Sequence, residues 1–247
     1  MKIVAIIQAR MGSTRLPGKV LRPILGRPML VYQIERILRI KEADLIVIAT
    51  TTESADDEIV ETVEKIPDIA VFRGSENDVL SRYYEAAKAH GADHVVRMTS
   101  DCPLIDPSIS SEVIRQFLAH YPKCDYATNS RIRTFPRGLD TEIFTFQTLE
   151  TAYREAKKPY EREHVTPYIW QDDKRFRILD VTFPKNYSDL RWTVDTPEDF
   201  KFVTAVYESL YSQKSDFGFH DILKLLEKNP YLQIMNRNIQ QKALGEH

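Results

Sequence analysis

The first hundred residues alternate between short apolar runs and segments with helical periodicity, and this alternation restricts the fold more than any other feature. The apolar runs are rich in β-branched residues and lie at 3–7, 45–50, 69–72 and 94–100. Strands buried on both faces of a parallel sheet have this near-continuous apolar composition, because helices cover both faces. The sequence therefore predicts an α/β fold with a mostly parallel, Rossmann-like sheet.

Capping residues and apolar periodicity predict where the helices lie. Four are expected in the first half, at about 28–39, 54–65, 78–89 and 107–120. Near the C-terminus, the apolar segment 191–195 predicts another core strand, and Thr196 and Pro197 predict the start of a further helix. The residues beyond about 230 are polar, so we expect them to be peripheral.

Between about 130 and 185 the alternation of strands and helices breaks. The segments 141–149 and 175–183 alternate apolar and polar residues, which is typical of exposed or edge strands. We therefore expect an arm inserted at about 130–185 into a single domain of residues 1–247.

Composition excludes several classes of function. The chain has 247 residues, a formal net charge of −2 and 28% charged residues, so no overall basic field attracts nucleic acid. No apolar run approaches the roughly 18 residues of a membrane-spanning helix, and no signal-peptide pattern precedes the first strand. Cys102 and Cys124 are the only cysteines, and they have neither CxxC nor zinc-finger spacing. We expect a cytoplasmic protein with reduced thiols that binds neither nucleic acid nor a membrane.

The segment that follows the first predicted strand is small, flexible and cationic. Gly12 and Gly18 permit positive φ and a close approach of the backbone to a ligand. Ser13 and Thr14 add hydroxyl and amide donors. Three positive charges lie among these residues, on Arg10, Arg15 and Lys19. This combination is typical of a loop that binds a polyanion, so we predict a phosphate-binding loop.

Other glycine-rich nucleotide motifs do not fit this segment. A Walker A loop has four residues between its glycines and then Lys followed by Ser or Thr. Here five residues separate Gly12 from Gly18, Pro17 removes an amide donor, and Val20 replaces the hydroxyl. The GxGxxG pattern is also absent. An ordinary surface turn is the simpler alternative, but it does not need three cations and two glycines.

Several motifs in a fixed order resemble one enzyme family. They are ARMGSTRLPGK (9–19) with LGRPMLVYQIERI (25–37), FRGSENDVLSRYYEAA (72–87), TSDCPLIDP (99–107), EREHVTPYI (161–169) and RWTVDTPEDF (191–200). Together they resemble the cytidylyltransferases that activate acidic sugars, the CMP-Kdo and CMP-acylneuraminate synthetases. The similarity is greatest to the branch named for spore coat polysaccharide biosynthesis protein F. It implies the nucleotide-diphospho-sugar transferase type of sheet, with an arm that packs a homodimer and closes over the sugar site.

The resemblance also implies roles for individual residues. Arg10 and Lys19 are expected to grip the triphosphate of CTP and, together with Asp101, to be the catalytic residues. The nucleotide site is expected to comprise Ala9, Arg10, Gly12, Ser13, Arg15, Lys19, Arg73, Asp78 and Arg82. The acceptor site is expected to include Arg162, His164 and Tyr168. The segments 72–87 and 161–169 also have purely structural interpretations. The first fits a capped helix with a solvated face, and the second fits a helix packed in the dimer arm.

Two distant aspartates are candidate ligands for a divalent cation. Asp101 and Asp195 each follow an apolar strand, and the carboxyl ends of strands in open α/β sheets form a common ligand site. Mg²⁺ usually binds one or two carboxylates together with phosphate oxygens and water. We therefore predict a Mg²⁺ site at Asp101 and Asp195. The competing interpretations are a turn residue for Asp101 and a helix cap for Asp195.

No nucleophile and base pair stands out, so the predicted reaction is a direct displacement. An acceptor hydroxyl attacks the α-phosphate of CTP, pyrophosphate leaves, and a CMP-sugar forms for surface or spore coat polysaccharide synthesis. Cys102 is expected to be a buried thiol rather than a nucleophile. An acidic sugar needs a cation for its carboxylate, and four arginines of the predicted arm are available: Arg131, Arg133, Arg137 and Arg162.

Two other functions fit the same fold. A glycosyltransferase would use a nucleotide sugar as donor, but the sequence around Asp101 lacks a clear Asp-x-Asp motif. A non-catalytic nucleotide-binding homologue would have no need to keep Arg10, Lys19, Asp101 and Asp195 together.

Overall fold

The computed structural model describes residues 1–172 and 174–241. Its strands are β1 (Ile3–Gln8), β2 (Pro23–Ile24), β3 (Arg27–Pro28), β4 (Leu45–Thr51), β5 (Ile69–Gly74), β6 (His94–Thr99), β7 (Tyr126–Thr128), β8 (Glu142–Thr145) and β9 (Ile178–Asp180). Its helices are α1 (Met29–Ile37), α2 (Asp57–Val63), α3 (Val79–Ala89), α4 (Pro107–His120), α5 (Phe146–Glu155), α6 (Pro159–His164), α7 (Pro167–Trp170), α8 (Pro197–Leu210), α9 (Phe219–Lys228) and α10 (Pro230–Ile234). None of the described helices is long and apolar enough to cross a membrane.

Seven strands form one sheet in the order β5-β4-β1-β6-β8-β7-β9, and β2 and β3 form a separate two-stranded ribbon. The strands β5, β4, β1 and β6 are parallel to one another. Strand β8 runs antiparallel to both β6 and β7. The prediction of an α/β fold with a mostly parallel sheet is confirmed.

Alternate residues of β1 pack into two different cores. Ile3, Ala5 and Ile7 join the core beneath α1, α2 and α4, whereas Val4 and Ile6 join the core beneath α3 and α5. Side chains of successive strand residues point to opposite faces of a sheet, so a strand covered on both faces must be apolar at every position. This burial explains the uninterrupted apolar run that opens the chain.

The prediction that 141–149 is an exposed or edge strand is wrong. Strand β8 lies inside the sheet, between β6 and β7, and Ile143 and Phe144 are fully buried. The polar position in its alternating pattern is Glu142, which forms a buried ion pair with Arg97 and accepts hydrogen bonds from the hydroxyls of Tyr126 and Thr166. Pairing allows a carboxylate to be buried, so the alternation did not mark a solvent-facing side. The segment predicted as an inserted arm thus contributes β8 and β9 to the main sheet.

The segment 191–195 is buried but is not a strand of the sheet. Trp192 and Val194 are fully buried. The Trp192 amide donates to the carbonyl oxygen of Arg137 at 2.7 Å, and the Val194 amide donates to that of Asp101 at 2.8 Å. The apolar run therefore correctly indicated burial and wrongly indicated a strand. The C-terminal segment is also less peripheral than expected, because buried Asn236 donates to the carbonyl oxygen of Arg191 at 2.9 Å.

Gly138 allows the loop before β8 to pack against this segment. Its φ is +105°, and a Cβ atom there would lie 2.6 Å from the Trp192 carbonyl carbon and 2.6 Å from the Thr193 amide nitrogen. We expect Gly138→Ala to lower the free energy of unfolding by at least about 2 kcal/mol, since it combines a disfavoured backbone conformation with a collision between backbones. Urea unfolding monitored by circular dichroism measures the change.

Gly26→Ala is the matched control for this substitution. Gly26 has a similar positive φ, +80°, but no atom lies within 4 Å of its added Cβ. It therefore carries the conformational penalty alone, about 1–2 kcal/mol. Equal losses of stability in the two variants would contradict the role of Gly138 in close packing.

Candidate active site

A cavity of about 690 Å³ opens where β1 and β6 end. Gln8, the last residue of β1, and Thr99, the last residue of β6, both line it. Ten of the predicted site residues also line this cavity, namely Ala9, Arg10, Gly12, Ser13, Arg15, Lys19, Arg82, Asp101, His164 and Asp195. The structure thus brings residues from five distant parts of the sequence to the carboxyl edge of the sheet.

The cationic loop after β1 closes on itself. The Gly18 amide donates to the Met11 carbonyl oxygen at 3.1 Å, and the Leu16 amide donates to Ser13 Oγ at 3.3 Å. Gly18 has a φ of +65°, as the sequence predicted, whereas Gly12 has no positive φ. A Cβ at Gly12 would make only ordinary van der Waals contacts, at 3.6 Å to Glu76 and 3.9 Å to Arg10. The loop therefore requires glycine for its conformation at Gly18 and not at Gly12.

Asp56 anchors the loop, and sequence reasoning missed it. Its buried carboxylate accepts hydrogen bonds from the Met11 amide at 2.7 Å, Thr50 Oγ1 at 3.0 Å and the Thr51 amide at 3.2 Å, with a further bond from Thr51 Oγ1. Burial alone would raise the pKa of Asp56, but the bonds from Thr51, Met11 and Thr50 lower it below its ordinary value. The carboxylate thus stays ionised and ties the loop to the end of β4.

Lys19 joins the two predicted metal ligands. Its ammonium lies 2.8 Å from Asp195 Oδ1 and 3.4 Å from Asp101 Oδ2, and it also donates to the Val194 carbonyl oxygen at 2.7 Å. Burial alone would lower the pKa of Lys19, but Asp101 and Asp195 raise it. Burial would likewise raise the pKa of Asp195, but Lys19, Arg15 and Arg191 lower it. Lys19 and Asp195 are therefore both charged, and the carboxylates of Asp101 and Asp195 face one cavity.

Asp195 is also oriented by an ion pair with Arg191. The Arg191 guanidinium donates to Asp195 Oδ2 at 2.9 Å and to Asp199 Oδ1 at 2.9 Å. Asp199 is fully buried and also accepts from the amides of Asp195 and Thr196, at 3.0 and 3.1 Å. These bonds cap α8 and fix the backbone of Asp195, so the position of its carboxylate in the cavity is well defined.

Asp101 is positioned by hydroxyl groups on both sides. Thr99 Oγ1 donates to Asp101 Oδ1 at 2.5 Å, and Thr193 Oγ1 donates to the Asp101 carbonyl oxygen at 3.1 Å. The neighbouring Cys102 is buried, and burial together with Asp101 raises its pKa well above the ordinary value. Cys102 is thus a protonated thiol, which agrees with the prediction that it is not a nucleophile.

The donor set at this point fits Mg²⁺. Asp101 and Asp195 supply hard oxygen ligands, both pair with the Lys19 ammonium, and both side chains are partly exposed to the cavity. Within residues 1–172 and 174–241, no group of three or more His, Cys, Asp or Glu side chains could hold a metal. Mg²⁺ needs only one or two protein carboxylates when phosphate oxygens and water complete its shell. The residues therefore suit a cation that arrives with a polyphosphate.

Four predicted binding residues do not line the cavity. Arg73 donates to the carbonyl oxygens of Thr51 and Glu53, at 2.8 and 2.9 Å. Asp78 caps α3 by accepting from the Ser81 amide at 2.9 Å. The other two residues also have protein partners, since Arg162 pairs with Asp78 and Tyr168 donates to Glu155. The structure therefore supports the alternative of a capped helix for Asp78.

Other cavity residues were left open by the sequence analysis or were missed by it. Arg137, one of the four candidates for the acceptor carboxylate, lines the cavity together with Glu163 and Gln241. Glu163 could have been included, because it lies in the quoted motif beside His164. Gln241 carried no local signal, and its side chain accepts a hydrogen bond from Arg191 at 2.7 Å.

Comparison with known proteins connects this site to one class of enzyme. A family model described as cytidylyltransferase matches residues 4–237. The chain is 34% identical over 236 residues to the spore coat polysaccharide biosynthesis protein SpsF of Bacillus subtilis, covering 92% of this chain and 95% of that protein. It is 35% identical over 155 residues to the 3-deoxy-manno-octulosonate cytidylyltransferase of Trichlorobacter lovleyi, covering 62% of this chain and 60% of that protein.

A solved structure shares nearly the whole fold. The structure of a cytidylyltransferase from Leptospira borgpetersenii superimposes with a TM-score of 0.91 at 37% identity, and the match covers 98% of this chain and 100% of that chain. The sheet and the cavity described above therefore lie within a region common to both proteins.

The anchoring of the loop by Asp56 can be tested by substitution. We expect Asp56→Asn to lower the free energy of unfolding by about 1.5–3 kcal/mol, because an amide replaces a charged acceptor that satisfies several donors. We also expect it to weaken CTP binding, because the loop loses its tie at Met11. Urea unfolding and titration calorimetry with CTP measure the two effects.

Asp57→Asn is the control, since Asp57 is exposed and pairs only with Arg73 among the described ion pairs. The pKa of Asp56 lies below its ordinary value of 3.8, so its stabilisation is present above that pH and is lost as pH falls through the lowered pKa. The difference between wild type and Asp56→Asn should therefore shrink below pH 3.8. A difference that grows on acidification would contradict the assignment.

Proposed function

The chain belongs to the cytidylyltransferase family and is a nucleotidyltransferase, and from this premise we propose that it transfers the cytidylyl group of CTP to an acidic sugar. The products are a CMP-sugar and pyrophosphate, and the reaction requires a divalent cation. The observation that carries the proposal is the meeting of Lys19, Asp101 and Asp195 at the end of the cationic loop. A triphosphate binds to positive charge and a divalent cation binds to carboxylates, so a site for both needs the two kinds of charge side by side.

The residues of the loop bind and orient the triphosphate. Arg10, Arg15 and Lys19 neutralise its charge, and backbone amides near Gly12 and Ser13 donate to its oxygens. Asp101 and Asp195 hold the divalent cation, which stabilises negative charge on the phosphates when bound. Catalysis of phosphoryl-type transfer depends mainly on positioning and electrostatic stabilisation, so no protein nucleophile is needed. The acceptor hydroxyl displaces pyrophosphate directly.

The acceptor is a sugar acid. The names of the Bacillus subtilis and Trichlorobacter lovleyi relatives, which refer to polysaccharide biosynthesis and to 3-deoxy-manno-octulosonate, support this choice. Glu163 and His164 line the same cavity and supply polar contacts for its hydroxyls. The product serves the synthesis of a surface or spore coat polysaccharide. The protein acts as a homodimer, and sedimentation analysis tests this assembly.

A pyrophosphate-release assay tests the reaction directly. The assay crosses CTP, UTP, ATP and GTP with a panel of 2-keto sugar acids, in the presence of Mg²⁺ or of EDTA. We expect pyrophosphate only with CTP, a sugar acid and Mg²⁺ together, since the cation and both substrates share one site. Hydrolysis of a nucleotide-diphosphate sugar, with no pyrophosphate from any triphosphate, would favour a glycosyltransferase instead.

Asp101→Ala should reduce pyrophosphate release at least about 100-fold, because it removes one of the two carboxylates that hold the divalent cation beside the reacting phosphates. Asp216→Ala is the matched control, since Asp216 is an exposed aspartate outside this cavity. Its activity should equal that of the wild type. Normal turnover by an Asp101→Ala variant with unchanged circular dichroism would disprove the role of Asp101.

A further inference from the structure

Four arginines were open candidates for the carboxylate of the acceptor, and the structure separates one of them from the rest. Arg131 pairs with Asp180 through both ends of its guanidinium. Arg133 forms a two-pronged pair with Asp140, with one of its bonds at 2.9 Å. The last of the three, Arg162, pairs with Asp78 and donates to the Tyr153 carbonyl oxygen at 2.6 Å. None of these three lines the cavity.

Arg137 differs from the other three in both respects. It lines the cavity and is half-buried. No residue in the ranges 1–172 and 174–241 forms an ion pair or a side-chain hydrogen bond with its guanidinium. Burial lowers the pKa of Arg137, and the neighbouring charges of Arg133 and Arg191 lower it further against the opposing effect of Asp140. This guanidinium is thus partly desolvated, close to like charges and able to bind an anion from the cavity.

The backbone of Arg137 is held rigidly. Its amide donates to the Leu190 carbonyl oxygen at 2.9 Å, and its carbonyl oxygen accepts from the Trp192 amide at 2.7 Å. The next residue is Gly138, which packs directly on the backbone of Trp192 and Thr193. These contacts fasten Arg137 to the same segment that carries Asp195. The position of its side chain is therefore linked to that of the candidate metal ligands.

The sheet topology places Arg137 and the cationic loop on opposite sides of Asp101. Strand β6 lies between β1 and β8, so Asp101 at its end separates the cationic loop after β1 from the segment before β8 that carries Arg137. An in-line displacement puts the attacking hydroxyl and the leaving pyrophosphate on opposite sides of phosphorus. If the loop holds the pyrophosphate, the acceptor lies toward Arg137.

We propose that Arg137 binds the carboxylate of the acceptor and thereby selects acidic sugars over neutral ones. The proposal rests on the proposed function, since it concerns the same cavity and the same reaction. A guanidinium matches a carboxylate through two parallel hydrogen bonds, a geometry that lysine does not reproduce. The carboxylate neutralises Arg137, whereas the neighbouring Arg133 and Arg191 already pair with aspartates of the chain.

Equilibrium binding tests the proposal without requiring turnover. Wild type and Arg137→Gln are first saturated with Mg²⁺ and a non-hydrolysable CTP analogue. The 2-keto sugar acids of the panel, and their carboxamides, are then titrated by calorimetry. We expect wild type to prefer each bound acid over its amide, and Arg137→Gln to bind that acid about 10- to 100-fold more weakly, as expected for loss of hydrogen bonds to a charged group. The preference for acid over amide should disappear.

Two further variants identify the cause of the change. Arg137→Lys keeps the charge without the two-pronged geometry, so it should restore part of the lost affinity. Arg131→Gln, in the same segment but outside the cavity, should bind the acid within about twofold of the wild type. The affinity of Arg137→Gln for the CTP analogue itself should change less than about twofold.

The outcomes separate this proposal from the proposed function. An unchanged preference for acid over amide in Arg137→Gln would overturn the role of Arg137 while leaving the reaction intact. A loss of CTP-analogue affinity with no change in that preference would assign Arg137 to the nucleotide and also overturn it. Acid binding that depends on Arg137, without pyrophosphate release from CTP, would support the inference and contradict the proposed reaction.

Discussion

The contact of the Lys19 ammonium with Asp101 and Asp195 is the interaction on which the site depends. It joins three chain segments: the loop after β1, the end of β6 and the segment 191–195. Only 12% of the Lys19 side chain is exposed, and a charge this well buried needs an opposite charge beside it to offset the loss of water. The two ion pairs of Lys19 therefore hold the three segments together in the folded protein.

Adjacent strands of the sheet bring Lys19 and Asp101 together, whereas loop contacts position Asp195. Strands β1 and β6 are adjacent and parallel, so the loop that carries Lys19 and the turn that carries Asp101 begin near each other. Asp195 has no strand to position it. Its segment instead uses backbone bonds to Arg137 and Asp101, the close contact at Gly138, and the buried Arg191 and Asp199 pair. A segment outside the sheet thus reaches comparable rigidity through buried charge and backbone pairing.

The sequence predicted the elements whose signals are local. Strands β1, β4, β5 and β6 and helices α1, α3 and α4 follow from apolar periodicity and capping residues, and the loop of Lys19 from its glycines and charges. The sequence did not reveal that Glu142 is buried by pairing with Arg97, nor that Asp56 turns its carboxylate toward Met11. Each depends on a partner at least 45 residues away in the sequence, and no local pattern encodes such a pairing.

The charges of the site fall into a fixed set and an exchangeable set. Asp56 and Asp199 are buried and satisfied by backbone amides, so they act as permanent supports. Arg15 lies 3.2 Å from Asp195, whose side chain is only 12% exposed, whereas Arg10 lies 3.7 Å from Glu76 with both side chains at least 40% exposed. A solvent-exposed pair such as that of Arg10 contributes little to stability. Arg10 can therefore exchange its carboxylate for phosphate at small cost, while the scaffold that positions it remains unchanged.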